Sequence, residues 1–553
     1  MIPPGGPECS AVANCQPGPA ATILAPSAPV PDDALIPIPR SRMTIRSLAP
    51  SLGLTLALAS LLPAQDPAKK AADEPKPAAS KDASKASEPV VTHHALDLEG
   101  RTLRYTATAG RMPIPNADGD VEAHIFYVAY TLDQAGERSR RPLIFSFNGG
   151  PGSASVWLHL GALGPRRVEM PDAVLPGPPY RLVDNAHTWL DRADLVFIDP
   201  VGTGYSRATK PDLTKKFHGL QGDIQSVGEF IRLYITRNER WGSPLFLVGE
   251  SYGTTRAAGL AGRLVERNGI AFNGIILVSS VLNFQTLQFD RGNDLPYALY
   301  LPTYAATAWY HKKLAGDLRR DLKATVEAAA KWAAADYTTA LALGDRLSPE
   351  ARKAAVDGLA RFTGLDPTYV DLANLRVDPA QFRKELLRKE RKSVGRLDSR
   401  FVGDDASGVA ERPDFDASNA AIRPPYTATI NQYLRSSLGY ETDVPYYILG
   451  EGVGAWDWGL SGRGGYPETA SSLRDALAQN PSMRVFIASG YYDLATPFAA
   501  TEYTFAHMNL APAFREHITF AEYEAGHMMY VNPASLAKLK RDVAAFLDRA
   551  TAR

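Results

Sequence analysis

Cysteine is almost absent: the 553 residues hold two, Cys9 and Cys15, both near the N-terminus. A disulfide framework, a CxxC redox pair and a cysteine-rich zinc site are therefore excluded for the body of the chain. Net charge is missing as well, because Lys+Arg and Asp+Glu are equal at 60 each. No global field remains to attract nucleic acid, an anionic membrane or a polyanionic substrate. Long apolar runs are scarce. The main one, Leu48 to Leu62, spans about 15 residues, short of the roughly 20 that a stable membrane anchor needs. No self-similarity recurs at a period of about 20–50 residues, which argues against solenoids and propellers.

What is present begins with about ninety residues that do not read as a packed fold. Residues 1–42 are rich in Pro, Ala and Gly without apolar period, and are expected to be a disordered or untranslated extension. Met43-Thr-Ile-Arg46 followed by the Leu48–Leu62 run matches a signal peptide over 43–64, with cleavage after Ala64. Residues 65–90 are a charged Lys/Ala/Pro linker. Ordered structure is expected from about Val91, opening with a hairpin around Gly100 and a strand at Ala123–Leu132.

From residue 142 the pattern becomes short apolar runs, at 142–147, 194–198, 244–248, 275–278 and 484–488, the first three of which enter glycine-rich loops. Strands buried on both faces of a parallel sheet look like this. Helical segments separate them at Asp223–Arg237 and Thr255–Asn268, so the predicted class is α/β, a mostly parallel sheet flanked by helices. Residues 91–284 and 431–553 form its two parts. An Ala-, Leu-, Lys- and Arg-rich stretch at 285–430 is read as an inserted helical cap, and the basic run Lys384–Lys392 within it as a solvated helix face.

The chemistry centres on Gly249-Glu250-Ser251-Tyr252-Gly253, which follows an apolar strand and precedes a helix-forming segment. G-x-S-x-G in that setting puts a serine on a strained strand-to-helix turn with its hydroxyl above the sheet. Serine is a weak nucleophile near neutrality, so it requires a base, and the base requires a carboxylate to orient it. In the α/β-hydrolase order Ser, Asp, His, the later sequence supplies Asp493 after the strand at 484–488 and His527 after the strand at 518–523. His507 and His517 compete for the base, and are better read as surface residues.

With these placed, the chain resembles the serine carboxypeptidase family, specifically its bacterial secreted members. Phe147-Asn-Gly-Gly-Pro-Gly-Ser-Ala-Ser155, Asp199-Pro-Val-Gly-Thr-Gly-Tyr-Ser206, Gly249-Glu-Ser-Tyr-Gly253 and Gly526-His-Met528 carry the resemblance. It implies an oxyanion hole from the Gly150 and Tyr252 backbone N–H groups. It also implies a grip on the substrate's terminal carboxylate by Asn148, Gly149 and Glu250, and a leaving-residue pocket that includes Met528 and faces Trp157. Like charges in contact cannot both stay ionised, so a Glu250–carboxylate contact needs a shared proton. Ala162 stands where eukaryotic members have a second Glu, and Ser153 where they have Cys.

Three readings follow: a serine carboxypeptidase acting on peptides with a free C-terminus, an esterase or acyltransferase on the same triad, and a non-catalytic binding protein on a hydrolase scaffold. No metal or organic cofactor is indicated. The block Trp456-Asp457-Trp458 has no assigned role.

Overall fold

The sheet opens with a hairpin in which β1 (Val90–Leu98) and β2 (Arg101–Pro115) pair antiparallel, with Leu98 opposite Arg101. The intervening Glu99 and Gly100 both have positive φ, 49° and 76°. That backbone twist matches the twist of the flanking strands, and Gly adopts it freely. β3 (Val121–Leu132) returns along β2. The computed structural model describes residues 88–133, 136–460 and 465–552, all within one compact unit. The extension expected at 1–42 with its two cysteines, the signal peptide expected at 43–64 and linker residues 65–87 lie outside the described residues.

β3 also pairs antiparallel with the strand at Asp194–Ile198, and from that strand onward every pairing in the sheet order is parallel. β4 (Leu143–Phe147), β5 (Asp194–Ile198), β6 (Leu245–Ser251), β7 (Gly274–Ser280), β8 (Arg484–Gly490) and β9 (Ile518–Tyr523) extend the sheet in the order β1-β2-β3-β5-β4-β6-β7-β8-β9. Their side chains alternate between two cores. Leu245 and Leu247 of β6 and Ile275 and Leu277 of β7 enter one, while Phe246, Val248, Ile276 and Val278 enter the other. Both faces of β6 and β7 are covered, so their middles, Leu245–Val248 and Ile275–Val278, are apolar on both sides, and each buried side chain contributes about 1.5–3 kcal/mol.

Helices α1 (Leu220–Arg237) and α2 (Tyr252–Asn268) pack on the first face through Ile224, Val227, Phe230, Ala257, Leu260 and Leu264. Between β7 and β8, helices α3 (Leu295–Tyr310), α4 (Leu322–Trp332) and α5 (Pro349–Thr363) build a separate core around Leu301, Tyr304, Ala329, Leu359 and Phe362. The stretch expected as cap, 285–430, extends beyond that core. Its last helix, α6 (Ala417–Ser436), buries Ile422, Tyr426, Ile430 and Tyr433 in the core of the second sheet face, the core that α7 (Pro533–Thr551) also enters. Composition alone does not separate the two, because both are Ala-rich helices.

The first part of the basic run at 384–392 corrects the sequence reading. A short helix, Pro379–Glu385, ends within it, Arg391 turns left-handed at φ 54°, and Lys384 is 1% exposed with its ammonium 2.6 Å from Asp405. Leu386 and Leu387 are buried beside it. Lys384 is thus spent on an interior ion pair, while Lys389 to Lys392 at the end of the run are exposed, as a solvated face requires. Together, the sheet order and the helices on both faces make an α/β-hydrolase fold. Among the described residues, no helix is long and apolar enough to cross a membrane.

Candidate active site

Register explains why the motif loops meet. Phe147 of β4 lies opposite Gly249 of β6, so the Asn148–Gly152 loop leaves the sheet beside Glu250 and Ser251. Gly490 of β8 lies opposite Tyr523 of β9, which puts the loops bearing Asp493 and His527 side by side. All of these are carboxyl ends of parallel strands, where such sheets gather ligand sites.

Ser251 has φ 59° and ψ −132°, an uncommon conformation for a residue with a side chain. Strain of this kind costs on the order of 1–3 kcal/mol and persists only where the surroundings enforce it. Here the surroundings are tight backbone. A Cβ on Gly249 would overlap the Gly253 carbonyl, and one on Gly253 would lie 2.9 Å from the Phe147 oxygen. A Cβ on Gly149 would stand 2.5 Å from the Tyr252 nitrogen. Each glycine is therefore a steric requirement of the turn.

His527 is 4% exposed, and its Nδ1 lies 2.7 Å from Asp493 Oδ2. Asp493 is wholly buried, and its Oδ1 accepts from the Ala495 and Thr496 N–H groups at 2.8 and 3.0 Å. The Thr496 hydroxyl donates to Asp493 Oδ2 at 2.7 Å and lies 3.2 Å from His527 Nδ1. Burial pulls the imidazole down, but the Asp493 charge and hydrogen bond, with the Glu250 charge, outweigh it and hold His527 above its ordinary 6.5. With Nδ1 engaged, Nε2 is the nitrogen left for chemistry.

Glu250 is 3% exposed and receives hydrogen bonds from Asn148 Nδ2 (2.9 Å) and the Tyr530 hydroxyl (2.6 Å). Burial nevertheless raises its carboxyl from 4.5 to about 7, against those bonds and the His527 charge. The Gly150 N–H, at φ 99°, has no protein acceptor among the described residues. The Tyr252 N–H opens α2, where no intrahelical acceptor exists.

Ser251, His527, Glu250, Gly149, Gly150 and Met528 all line one cavity of about 330 Å³, whose apolar wall includes Trp157, Ile422 and Leu449. Trp157 Nε1 donates to Ser153 Oγ at 2.7 Å, which fixes the indole against that wall. Ala162 is fully buried in the turn His159–Leu163. At its neighbour Gly161, Tyr530 and Tyr426 leave no room for a Cβ. His507 is exposed and His517 partly exposed, on other elements, and neither reaches this cavity.

Several supporting residues were not signalled by sequence motifs. Thr496 and Tyr530 are two. A third set is a buried network: Arg256 Nε and the Tyr252 hydroxyl both donate to Asp223 Oδ2 (2.8 and 2.9 Å), and Arg256 Nη1 donates to the Asn148 carbonyl (2.6 Å). It ties α1, α2 and the Asn148 loop together. The Trp456-Asp457-Trp458 block also gains a role. Both indoles stand edge-on to Tyr252, at 5.4 and 5.8 Å, and the Asp457 carbonyl accepts from Leu220 N. The block braces the turn from behind.

Residues 104–372 match the family model described as serine carboxypeptidase. Serine carboxypeptidase-like 36 of Arabidopsis thaliana is 29% identical over 175 residues, covering 30% of this chain and 34% of that protein. Serine carboxypeptidase-like 45 of the same organism is 26% identical over 225 residues, 36% of this chain and 44% of its own length. Pheromone-processing carboxypeptidase KEX1 of Saccharomyces cerevisiae is 29% identical over 171 residues, 29% of this chain and 22% of its own. The chain thus spans less than half the length of these curated relatives. The solved structure of Kex1(delta)p, a prohormone-processing carboxypeptidase from Saccharomyces cerevisiae, aligns with TM-score 0.49 at 16% identity over 80% of this chain and 91% of that one.

Proposed function

We propose, on the match of residues 104–372 to the serine carboxypeptidase family, that the protein is a serine-type carboxypeptidase releasing C-terminal amino acids from peptides. The observation that carries the reading is the convergence of Ser251, His527 and Glu250 on one cavity. Ser251 Oγ attacks the carbonyl of the terminal peptide bond and passes its proton to His527 Nε2, while Asp493 holds the ring through Nδ1. Charge on the tetrahedral oxygen faces the Gly150 and Tyr252 N–H groups, donors already aimed before the reaction starts. His527 then protonates the leaving amine. Water enters, His527 takes its proton, and the acyl-enzyme on Ser251 is hydrolysed. Asn148, Gly149 and protonated Glu250 bind the substrate's terminal carboxylate, and Met528 borders the leaving residue.

A second reading, an esterase or acyltransferase on the same triad, is favoured by one observation. Ala162 leaves Glu250 without a second carboxyl partner, and Tyr530 supplies the hydrogen bond instead. A blocked dipeptide, its matching peptide amide and a short ester separate the two. Cleavage that requires the free carboxylate supports the carboxypeptidase; turnover of the ester alone supports the alternative; inertness to all three contradicts both.

The same reading makes the protein an exported one, periplasmic or extracellular. Expression from Met43 in a bacterial host is expected to give an exported product shortened by about twenty residues. Intact Met43 on the exported product contradicts it.

A further inference from the structure

The cavity that holds Ser251 is lined by charged side chains from two parts of the chain. Glu250 and His527 come from loops at the sheet's carboxyl edge, and Arg396 and Asp416 from the segment that leads into α6. Asp416 is already committed. Its Oδ1 accepts from Arg396 N (2.9 Å), Ser418 N (3.1 Å) and Ser418 Oγ (2.6 Å), which caps α6. It also lies between two guanidinium groups, 3.7 Å from Arg383 and 3.8 Å from Arg396. Arg383 is buried and spends its Nε on the Val394 carbonyl. Two cations therefore share one anion, and the surplus positive charge rests on Arg396.

The Arg396 side chain is half exposed, and its guanidinium makes no hydrogen bond to a protein group among the described residues. Its closest approach to a carboxylate, 3.8 Å, is too long for one. Asn419, one turn into α6, lines the same cavity. Its Oδ1 is buried without a hydrogen-bond partner, and a buried carboxamide left unsatisfied is costly. Because the two ends of a carboxamide exchange by a half-turn, Asn419 offers either an acceptor or a donor. A permanent cation with free donors beside an unsatisfied carboxamide fits a planar anion.

We infer that Arg396 and Asn419 form a carboxylate-reading subsite facing Ser251. It rests on the peptide-substrate reading of the cavity and deepens it. Unlike Glu250, Arg396 needs no proton to hold an anion, because a guanidinium stays charged at every working pH. The carboxylate is either the substrate's terminus or an acidic side chain beside the scissile bond. Arg396 is a specificity-determining residue in either case, and the acyl chemistry stays with Ser251.

The test measures how well four blocked dipeptide ligands protect Ser251 from a fluorophosphonate. They form two matched pairs, terminal acid against amide and Glu against Gln beside the blocked bond. Ratios are taken within one protein, so a general change in labelling rate cancels. Charge-assisted hydrogen bonds of about 1.5–3 kcal/mol correspond to a ten- to hundredfold preference for the anion. Arg396→Gln is expected to abolish that preference in one pair, and Arg396→Lys to keep part of it. Collapse of the acid/amide ratio assigns the subsite to the terminus, and collapse of the Glu/Gln ratio assigns it to a side chain. Asn419→Ala is expected to reduce the same ratio. Unchanged ratios in Arg396→Gln overturn the inference. A wild-type protein that cleaves none of the matching peptides, yet keeps the anion preference in protection, defeats the proposed function and leaves the subsite standing.

Discussion

Replacing Glu250 with Gln isolates the most unusual group in the cavity. The substitution preserves shape and hydrogen bonding: the carboxamide oxygen still accepts from Asn148 Nδ2, and the Tyr530 hydroxyl turns to accept from the new amide. Only the titration disappears. Holding a carboxyl at about 7 instead of 4.5 costs about 3 kcal/mol once it ionises in the fold. The folded state binds this proton more tightly than the unfolded chain does. Its stabilising effect is therefore complete below about pH 4.5 and is lost as pH rises through about 7. Denaturant unfolding at several pH values should show Glu250→Gln gaining about 3 kcal/mol on the wild type between pH 4.5 and 8.

Kinetics supply the second arm. Ionised Glu250 repels a terminal carboxylate, so the wild-type KM for a peptide acid should climb above pH 7 while that for the matched amide stays level. In Glu250→Gln the two curves should both be flat. Loss of the Glu250 charge also removes one of the influences that raise His527, so the acid limb of kcat should move to lower pH. Parallel stability curves, or equal responses of acid and amide, would refute the reasoning and leave Glu250 as a brace for the turn.

Tyr530→Phe deletes a donor that favours ionised Glu250, so the rise in KM for peptide acids should shift to higher pH by about one unit, read from the same pH series. Asp493→Asn should leave the fold intact, since both backbone donors to Oδ1 keep an acceptor, and should lower kcat by roughly 10³–10⁴-fold in steady-state assays. Arg256→Met strands the buried Asp223 carboxylate and the Asn148 carbonyl, and should cost about 3–5 kcal/mol in denaturant unfolding. Adding Asp223→Asn should recover part of it.

The features legible in the sequence share one physical cause. Strands buried on both faces are apolar along most of their length, and several of the turns at their carboxyl ends require glycine, so the apolar runs of β4 to β8 and the loops after β4, β5 and β6 stand out from the chain. The contact between Asp493 and His527 follows from their places just beyond two neighbouring parallel strands. Thr496, Tyr530, Asp223 and Arg256 leave no such trace. They are ordinary residues whose partners lie 3 to 280 positions away, and only the folded chain brings them together. Lys384 misled for the opposite reason: charge in a basic run reads as solvated, and its burial depends on Asp405, 21 residues later. Helix α6 carries Pro424 and Pro425 in its interior and packs on the sheet rather than with the cap, a choice made by tertiary contacts and invisible to local pattern.

The central claim is that Ser251 is a nucleophile activated by His527. A fluorophosphonate probe followed by peptide mass mapping tests it directly. The wild type should carry the label on Ser251 alone, Ser251→Ala should take none, and His527→Ala should label at least roughly 10³-fold more slowly. Full labelling of Ser251→Ala, or a label mapped to another residue, would contradict the account.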